Sequence, residues 1–269
     1  MPTPRTLLLT GAAGGLGTLM RSLLPEYGYT LRLFDVRPVE GEPDAITADL
    51  SDKEALREAV RGVDAVLHLA GISLEAPFEK ILRSNIEGTY NLYEAAREAG
   101  VPRIVFASSN HAVGYTPAPR AGDPLIPVGT PHRPDTFYGL SKSFGEDLAQ
   151  LYWDRHGLET VSVRIGSCFG EPTDVRMLSV WMSPADGARL FHAALTAEEV
   201  GHTVVYGSSA NTRLWWDLTS ARALGYDPRD DSEQYAGKLI AEHGELDPEN
   251  PAHTHLGGRF VNDPPIWPY

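Results

Sequence analysis

Thr6-Leu7-Leu8-Leu9-Thr10-Gly11-Ala12-Ala13-Gly14-Gly15-Leu16-Gly17 is an aliphatic run of strand length that breaks into glycines and leads into a helical pattern over 16–24. Glycines at Gly11, Gly14, Gly15 and Gly17, with Leu16 between the last two, suit a backbone that turns tightly, approaches a pyrophosphate and lets helix pack on strand. The helix N-terminus behind such a turn offers unpaired N–H groups and a favourable dipole to phosphates. A simple flexible loop has the same composition, whereas a P-loop is disfavoured because no Lys-Ser/Thr pair closes the motif. Asp35 tips the balance. It ends the second apolar run, eighteen residues after Gly17, near the spacing at which an acid binds adenosine ribose hydroxyls. Its carboxylate would repel a 2′-phosphate, so NAD is expected over NADP; Arg37, able to accept that phosphate, is the counter-signal.

Outward from this turn, apolar runs at 6–10, 30–35, 45–47, 65–69, 103–107 and 160–165 read as buried strands, several without polar alternation. Between them 16–24, 52–60, 78–99 and 137–156 read as helices, with Ser51 or Asp52 capping the second. Such alternation predicts an α/β fold, a Rossmann-type doubly wound parallel sheet covered on both faces. Ligands bind at the C-terminal edge of such sheets, which places Asp49 and Leu50 after the third strand, and Leu69, Ala70 and Gly71 after the fourth, beside the cofactor. Ordinary turn chemistry accounts equally well for either pair taken alone. The proline- and glycine-rich 111–136 reads as a long irregular loop, of the kind that often serves function. One domain is expected over 1–269. The last hundred residues have little periodicity and hold four of the five tryptophans. They predict a small C-terminal substrate-binding lobe over about 167–269, packed through Trp215 and Trp216, with a non-regular tail at 264–269.

A formal charge of −13 argues against sequence-independent nucleic-acid binding, which needs clustered cations. It also means that an anionic ligand needs local positive charge against a repulsive field. No apolar run approaches the roughly 20 residues that span a bilayer, and the start does not read as a signal peptide. A single cysteine, Cys168, excludes an intramolecular disulfide and suits the reducing cytoplasm, where the protein is expected to work. Cys168 itself reads as a small buried hydrophobe. His253 and His255 form a lone His-x-His in a polar tail, usually solvent-facing, so no metal is expected.

Tyr138-Gly139-Leu140-Ser141-Lys142 opens the helix after the long loop, and a tyrosine and lysine four apart share one helix face. The ammonium can lower the phenol pKa, readying a base near neutral pH. By itself Tyr-x-x-x-Lys is common as two helix-surface residues. Joined to a dinucleotide fold and to Ser108-Ser109 after the fifth strand, it is poorly explained by chance.

These motifs resemble the extended branch of the short-chain dehydrogenase/reductase superfamily, whose Thr-Gly-x-x-Gly-x-x-Gly matches Thr10 to Gly17 and whose Tyr-x-x-x-Lys matches Tyr138 and Lys142. The resemblance implies Ser109 as the hydroxyl partner, Asn85 as the residue that places the lysine through a water, and Ile165 beside the cofactor. Within that branch the segments 105–111, 164–168 and 176–179, together with 71–73, 91–96, 208–211 and 215–217, resemble the uronate dehydrogenases. That likeness implies oxidation of a sugar acid at C1 with NAD, by a homo-oligomer, with Ser73, Ser109, Asn110, His111, Ser167 and Arg176 around the sugar beside Tyr138. Arg176 would hold the carboxylate, ideally as a bidentate pair; without the resemblance a surface salt bridge is its plainer reading. Leu218, where a polar residue is expected, and a longer loop at 120–130 depart from the pattern. A nucleotide-sugar epimerase or dehydratase is the rival within the superfamily, but Asn110 and His111 stand where a dehydratase has Asp and Glu. A non-catalytic NAD sensor is the rival from another class; such proteins commonly lose the tyrosine or lysine kept here.

Overall fold

A computed structural model describes residues 6–262. The chain runs β1 (Thr6–Thr10), α1 (Gly15–Leu23), β2 (Thr30–Asp35), β3 (Ile46–Thr47), α2 (Lys53–Val60), β4 (Ala65–His68), α3 (Phe78–Ile81), α4 (Gly88–Glu98), β5 (Arg103–Ser109), α5 (Phe137–His156) and β6 (Glu159–Ile165). It continues through β7 (Ser167–Cys168), α6 (Met177–Val180), β8 (Trp181–Met182), α7 (Pro184–Thr196) and β9 (His202–Gly207) to the short helices α8 (Thr219–Ala223), α9 (Ala236–His243) and α10 (Pro251–Thr254). Seven strands form one sheet in the order β3-β2-β1-β4-β5-β6-β9, every neighbouring pair parallel.

Both faces are covered, which is why several of the strands lack polar alternation. Leu7 and Leu9 of β1 point into a core with Met20 of α1 and Phe191 of α7, while Leu8 between them packs with Leu56, Leu92 and Tyr152 on the other side. The strand order reverses between β1 and β4, and the turns that follow these two strands stand side by side at the switch point.

Several sequence expectations shift. Asp52, not Ser51, caps α2 by accepting from Ala55 N at 3.0 Å. The third strand shrinks to two residues, the fifth extends to Ser109, and the first helix ends in a 3₁₀ turn at Leu24–Tyr27. The helix expected over 78–99 is interrupted by a π-helical stretch, Leu82–Glu87. Within the expected C-terminal lobe, β9 is instead the seventh strand of the main sheet and α7 packs on that sheet. What remains around the site is Trp215, Trp216, Leu218 and Leu256 clustered with Tyr206 of β9, where Trp216 stacks on Tyr206 at 5.0 Å. Leu218 is thus an apolar packing residue. The tail at 264–269 lies outside the described residues.

The loop 111–136 begins with the 3₁₀ turn Asn110–Val113 and is then pinned by backbone pairing: Ala118 N donates to Thr254 O at 2.8 Å and Ile126 N to Trp215 O at 2.8 Å. In return Leu256 N donates to Thr116 O at 3.0 Å and Gly257 N to Gly114 O at 2.9 Å. The segment 254–260 is thereby strapped to the loop. Among the described residues no helix is long and apolar enough to cross a membrane.

Candidate active site

At the C-terminal edge of the sheet a cavity of about 890 Å³ runs from the Gly11 turn to Phe260. Gly11 has φ +73°, and a β-carbon there would stand 2.7 Å from Ala70 N, so the turns after β1 and β4 touch backbone to backbone. A β-carbon on Gly17 would collide with the Gly11 carbonyl, while one on Gly15 would meet nothing. Gly14 caps α1 without a side-chain hydrogen bond, and the first turn holds no acidic residue. This helix N-terminus therefore keeps its N–H groups and dipole for an anion. Asp35 Oδ2 accepts from Ala13 N and its Oδ1 from Arg37 N, both at 2.9 Å, which fixes the carboxylate at the cavity wall. Arg37 is turned back: its Nη2 donates to Ala13 O at 2.8 Å and its Nε lies 3.8 Å from Asp35. Asp49, Leu50, Leu69, Ala70, Gly71 and Ile165 complete this wall. A bare helix N-terminus, a glycine cradle and a strand-end carboxylate fit the pyrophosphate and ribose of NAD.

The second half is built on α5. Thr136 caps it by accepting from Gly139 N at 2.9 Å, which puts Tyr138 in the first turn and Lys142 one turn on. Tyr138 and Ser109 both line the cavity. Lys142 Nζ donates to Ala107 O at 2.8 Å and lies 5.5 Å from the Tyr138 ring centre. Burial pushes the Tyr138 phenol up to about 12, with the Ser109 hydrogen bond pulling down and the Asp135 charge pushing up. Burial pushes Lys142 down to about 8. The phenol is thus moved up by burial rather than, as expected, down by the lysine.

Asn85 sits behind this wall. Its Oδ1 accepts from Ile72 N at 2.8 Å, and its Nδ2 donates to Ile72 O at 2.9 Å and Ser141 Oγ at 3.0 Å. It fastens the turn after β4 to the first turns of α5.

Of the residues expected around a sugar, Ser73, Ser109, His111, Tyr138, Ser167 and Arg176 line the cavity. Asn110 does not: its Nδ2 is turned to Leu256 O at 2.6 Å. Arg176 is half-buried, with Nη2 donating to the same Leu256 carbonyl, while Nε packs against Gly258 without a hydrogen-bond partner among the described residues. Burial pushes its guanidinium down to about 10, against the charges of Asp174 and Asp135. Its charge stands in the cavity wall beside Tyr138, paired through Nη2 with a backbone carbonyl rather than a carboxylate.

The model of the NAD dependent epimerase/dehydratase family matches residues 7–217. Over 264 residues the chain is 49% identical to a uronate dehydrogenase of Pseudomonas syringae pv. tomato, covering 97% of this chain and 94% of that one. It is 46% identical over 259 residues to a uronate dehydrogenase of Pseudomonas putida, covering 95% of each. The solved structure of a uronate dehydrogenase from Agrobacterium tumefaciens, a Tyr-to-Ala variant complexed with NAD, matches with a TM-score of 0.91 at 44% identity, over 97% of this chain and 98% of that one. The chain belongs to the uronate dehydrogenase family.

In this uronate dehydrogenase family member some wall residues were not legible beforehand. Phe260 and Arg259 come from the strap and line the cavity; Phe260 stacks on His111 with ring centres 4.2 Å apart. Asp135, the residue before the α5 cap, lies 2.7 Å from His111 Nδ1. Glu75 Oε2 accepts from Tyr138 N at 3.1 Å, at the helix N-terminus where an acid is favoured. Behind Ser109, Glu146 takes Ser108 Oγ at 2.5 Å, both Arg164 Nε and Nη2, and His132 Nε2 at 2.8 Å. The Glu75 contact and the Glu146 cluster join segments far apart in sequence, so no local spacing announces them.

Proposed function

We propose that the protein oxidises a hexuronate, such as glucuronate or galacturonate, at C1 of its pyranose form. NAD, when bound, supplies the nicotinamide ring that takes the hydride. Tyr138 takes the hydroxyl proton as phenolate while the C1–O bond becomes a carbonyl, giving an aldarolactone. Ser109, on the same cavity wall as Tyr138, orients the reacting hydroxyl. Lys142, on the same helix face, stabilises the phenolate by its charge. The observation that carries the substrate class is Arg176: a guanidinium in the wall that also presents Tyr138, its Nη2 paired with a backbone carbonyl rather than a carboxylate. Opposite charge fixed in the wall also answers the repulsion between an anionic sugar and a chain of net charge −13. The test is reduced-nicotinamide formation, at the usual roughly 340 nm band, with a panel of uronates, neutral aldoses and nucleotide sugars. Turnover is expected with uronates. A faster reaction with a neutral aldose or a nucleotide sugar overturns the reading.

A further inference from the structure

His111 is the one imidazole that meets the Tyr138 ring among the described residues, edge-on with ring centres 5.6 Å apart. Its other face is stacked on Phe260, and its Nδ1 is committed to Asp135 Oδ2 at 2.7 Å. The ring edge bearing Nε2 is left for the cavity, whose wall His111 helps to form.

The state of that nitrogen follows from Asp135. A carboxylate offers lone pairs only, so the imidazole nitrogen facing it carries the proton. In the neutral ring Nε2 is then an acceptor. Asp135 is in turn held by Thr136, whose hydroxyl accepts from Gly139 N at 2.9 Å and must therefore give its single proton to Asp135 Oδ1, also at 2.9 Å. Backbone closes over the carboxylate: a β-carbon on Gly114 or on Gly257 would run into Asp135 Oδ2. The carboxyl plane has no room to turn, and each oxygen has one assigned partner.

The geometry points to Asp135 as a positioning residue that fixes His111 in the Nδ1–H form, so that Nε2 accepts a hydrogen bond from a hydroxyl of the sugar. The sugar part of this inference rests on the uronate reading; the tautomer does not. Arg176 and His111 then read different chemistry on one ligand, the first an anion and the second a hydroxyl donor.

Asp135→Asn reverses the arrangement without changing size. Thr136 still needs an acceptor, so the amide oxygen stays on that side and the amide N–H₂ faces His111. The imidazole must answer with a lone pair at Nδ1, which moves its proton to Nε2 and sets a donor against the sugar hydroxyl, as in the tautomer reversal of a catalytic triad whose aspartate becomes asparagine. The test begins with ring ¹⁵N–¹H correlation spectra, His111 being assigned by its loss in His111→Ala. Wild type is expected to show Nδ1–H and Asp135→Asn to show Nε2–H. In kinetics, Asp135→Asn should raise KM for glucuronate about 10–100-fold, the scale of one mismatched polar contact, with a much smaller change in kcat. His111→Ala should raise KM similarly, and Asp135→Asn should add nothing in that background. Should Asp135→Asn not fold, the wild-type spectrum and His111→Ala still decide. A wild-type Nε2–H signal overturns the inference. So does an Asp135→Asn loss that persists in His111→Ala, or one that falls on kcat with a shifted pH profile, which would place the action of Asp135 on Tyr138. Wild type with the stated tautomer but no uronate oxidation upholds the role of Asp135 and overturns the uronate reading instead.

Discussion

Tyr138 and Lys142 were legible because four residues of helix put them on one face, whatever lies around them. Their environment was not. Burial moves the phenol up to about 12 and the ammonium down to about 8, which no local spacing encodes. Tyr138→Phe should cut kcat by about 10²–10⁴-fold, the usual worth of a general base, while NAD titration by fluorescence stays near wild type. Turnover within a few-fold of wild type would show that another group takes the proton. Since the phenolate is the reactive form and the phenol sits high, kcat/KM should keep rising with pH above neutrality. Arg176 tests substrate class. Its carboxylate partner is present in ground and transition states alike, so Arg176→Ala should raise KM more than it lowers kcat. Loss of one partner of a desolvated charged pair costs on the order of 2–5 kcal/mol. Wild type and variant compared on glucuronate and glucose should show the discrimination collapse; equal losses on both would make Arg176 structural.

At the scale of elements, the glycine turn separates two requirements. Gly17 has no room for a β-carbon against the Gly11 carbonyl, whereas Gly15 faces open space at the cavity. Gly17→Ala should therefore lower the unfolding midpoint and abolish NAD binding together. Gly15→Ala should leave the midpoint unchanged and weaken NAD alone. Calorimetry with and without NAD reads both, and equal midpoints would show that the turn tolerates the added methyl. The Glu146 cluster joins α5 to β5, β6 and the long loop. Burial alone would raise its carboxyl, but hydrogen bonds from His132, Arg164 and Ser108 hold it at about 2. A depressed carboxyl adds stability above its unfolded value and loses it as pH falls through the folded one. Wild type should lose midpoint between about pH 4.5 and 2 more steeply than Glu146→Gln. Glu146→Ala, which strands buried Arg164, should cost about 3–5 kcal/mol at neutral pH by denaturant titration. Parallel acid profiles would show that the cluster carries no such linkage.

For the whole molecule, the sheet was readable through six strands because each was a short run rich in β-branched and aliphatic residues. The seventh, His202–Gly207, was missed: its two leading polar residues hide a strand whose buried half is short. α7 was missed although Ser183 and Pro184 mark its start, with Ser183 accepting from Asp186 N. On the site side, the cofactor wall lies in local motifs and was legible. The strap that carries Phe260 is placed by long-range backbone pairing and was not. Net charge is also a property of the whole. At −13 the chain repels an anionic sugar at long range, and the Debye length shortens from about 30 Å at 0.01 M salt to about 8 Å at 0.15 M. Half-buried Arg176 is screened less than fully exposed charge. Added salt over that range should therefore raise kcat/KM for glucuronate relative to that for glucose. A fall would mean that the cavity mouth is locally attractive.

The π-helical stretch Leu82–Glu87 has a consequence for how the two ends of that helical segment are phased. Each helical residue advances the side-chain direction by about 100°. A wider turn absorbs one extra residue, so Asn85 within it and Leu92, Tyr93 and Ala96 after it need not obey one common periodicity. The wide turn itself can aim the Asn85 amide at Ile72 and Ser141 while the helix behind it keeps its apolar stripe on the sheet. Removing the exposed Glu87 would restore a regular helix and force a choice between the two, since only one could remain in phase. The irregular turn is a clutch between the chemistry and the core, and the cost of local regularity would be borne by Asn85.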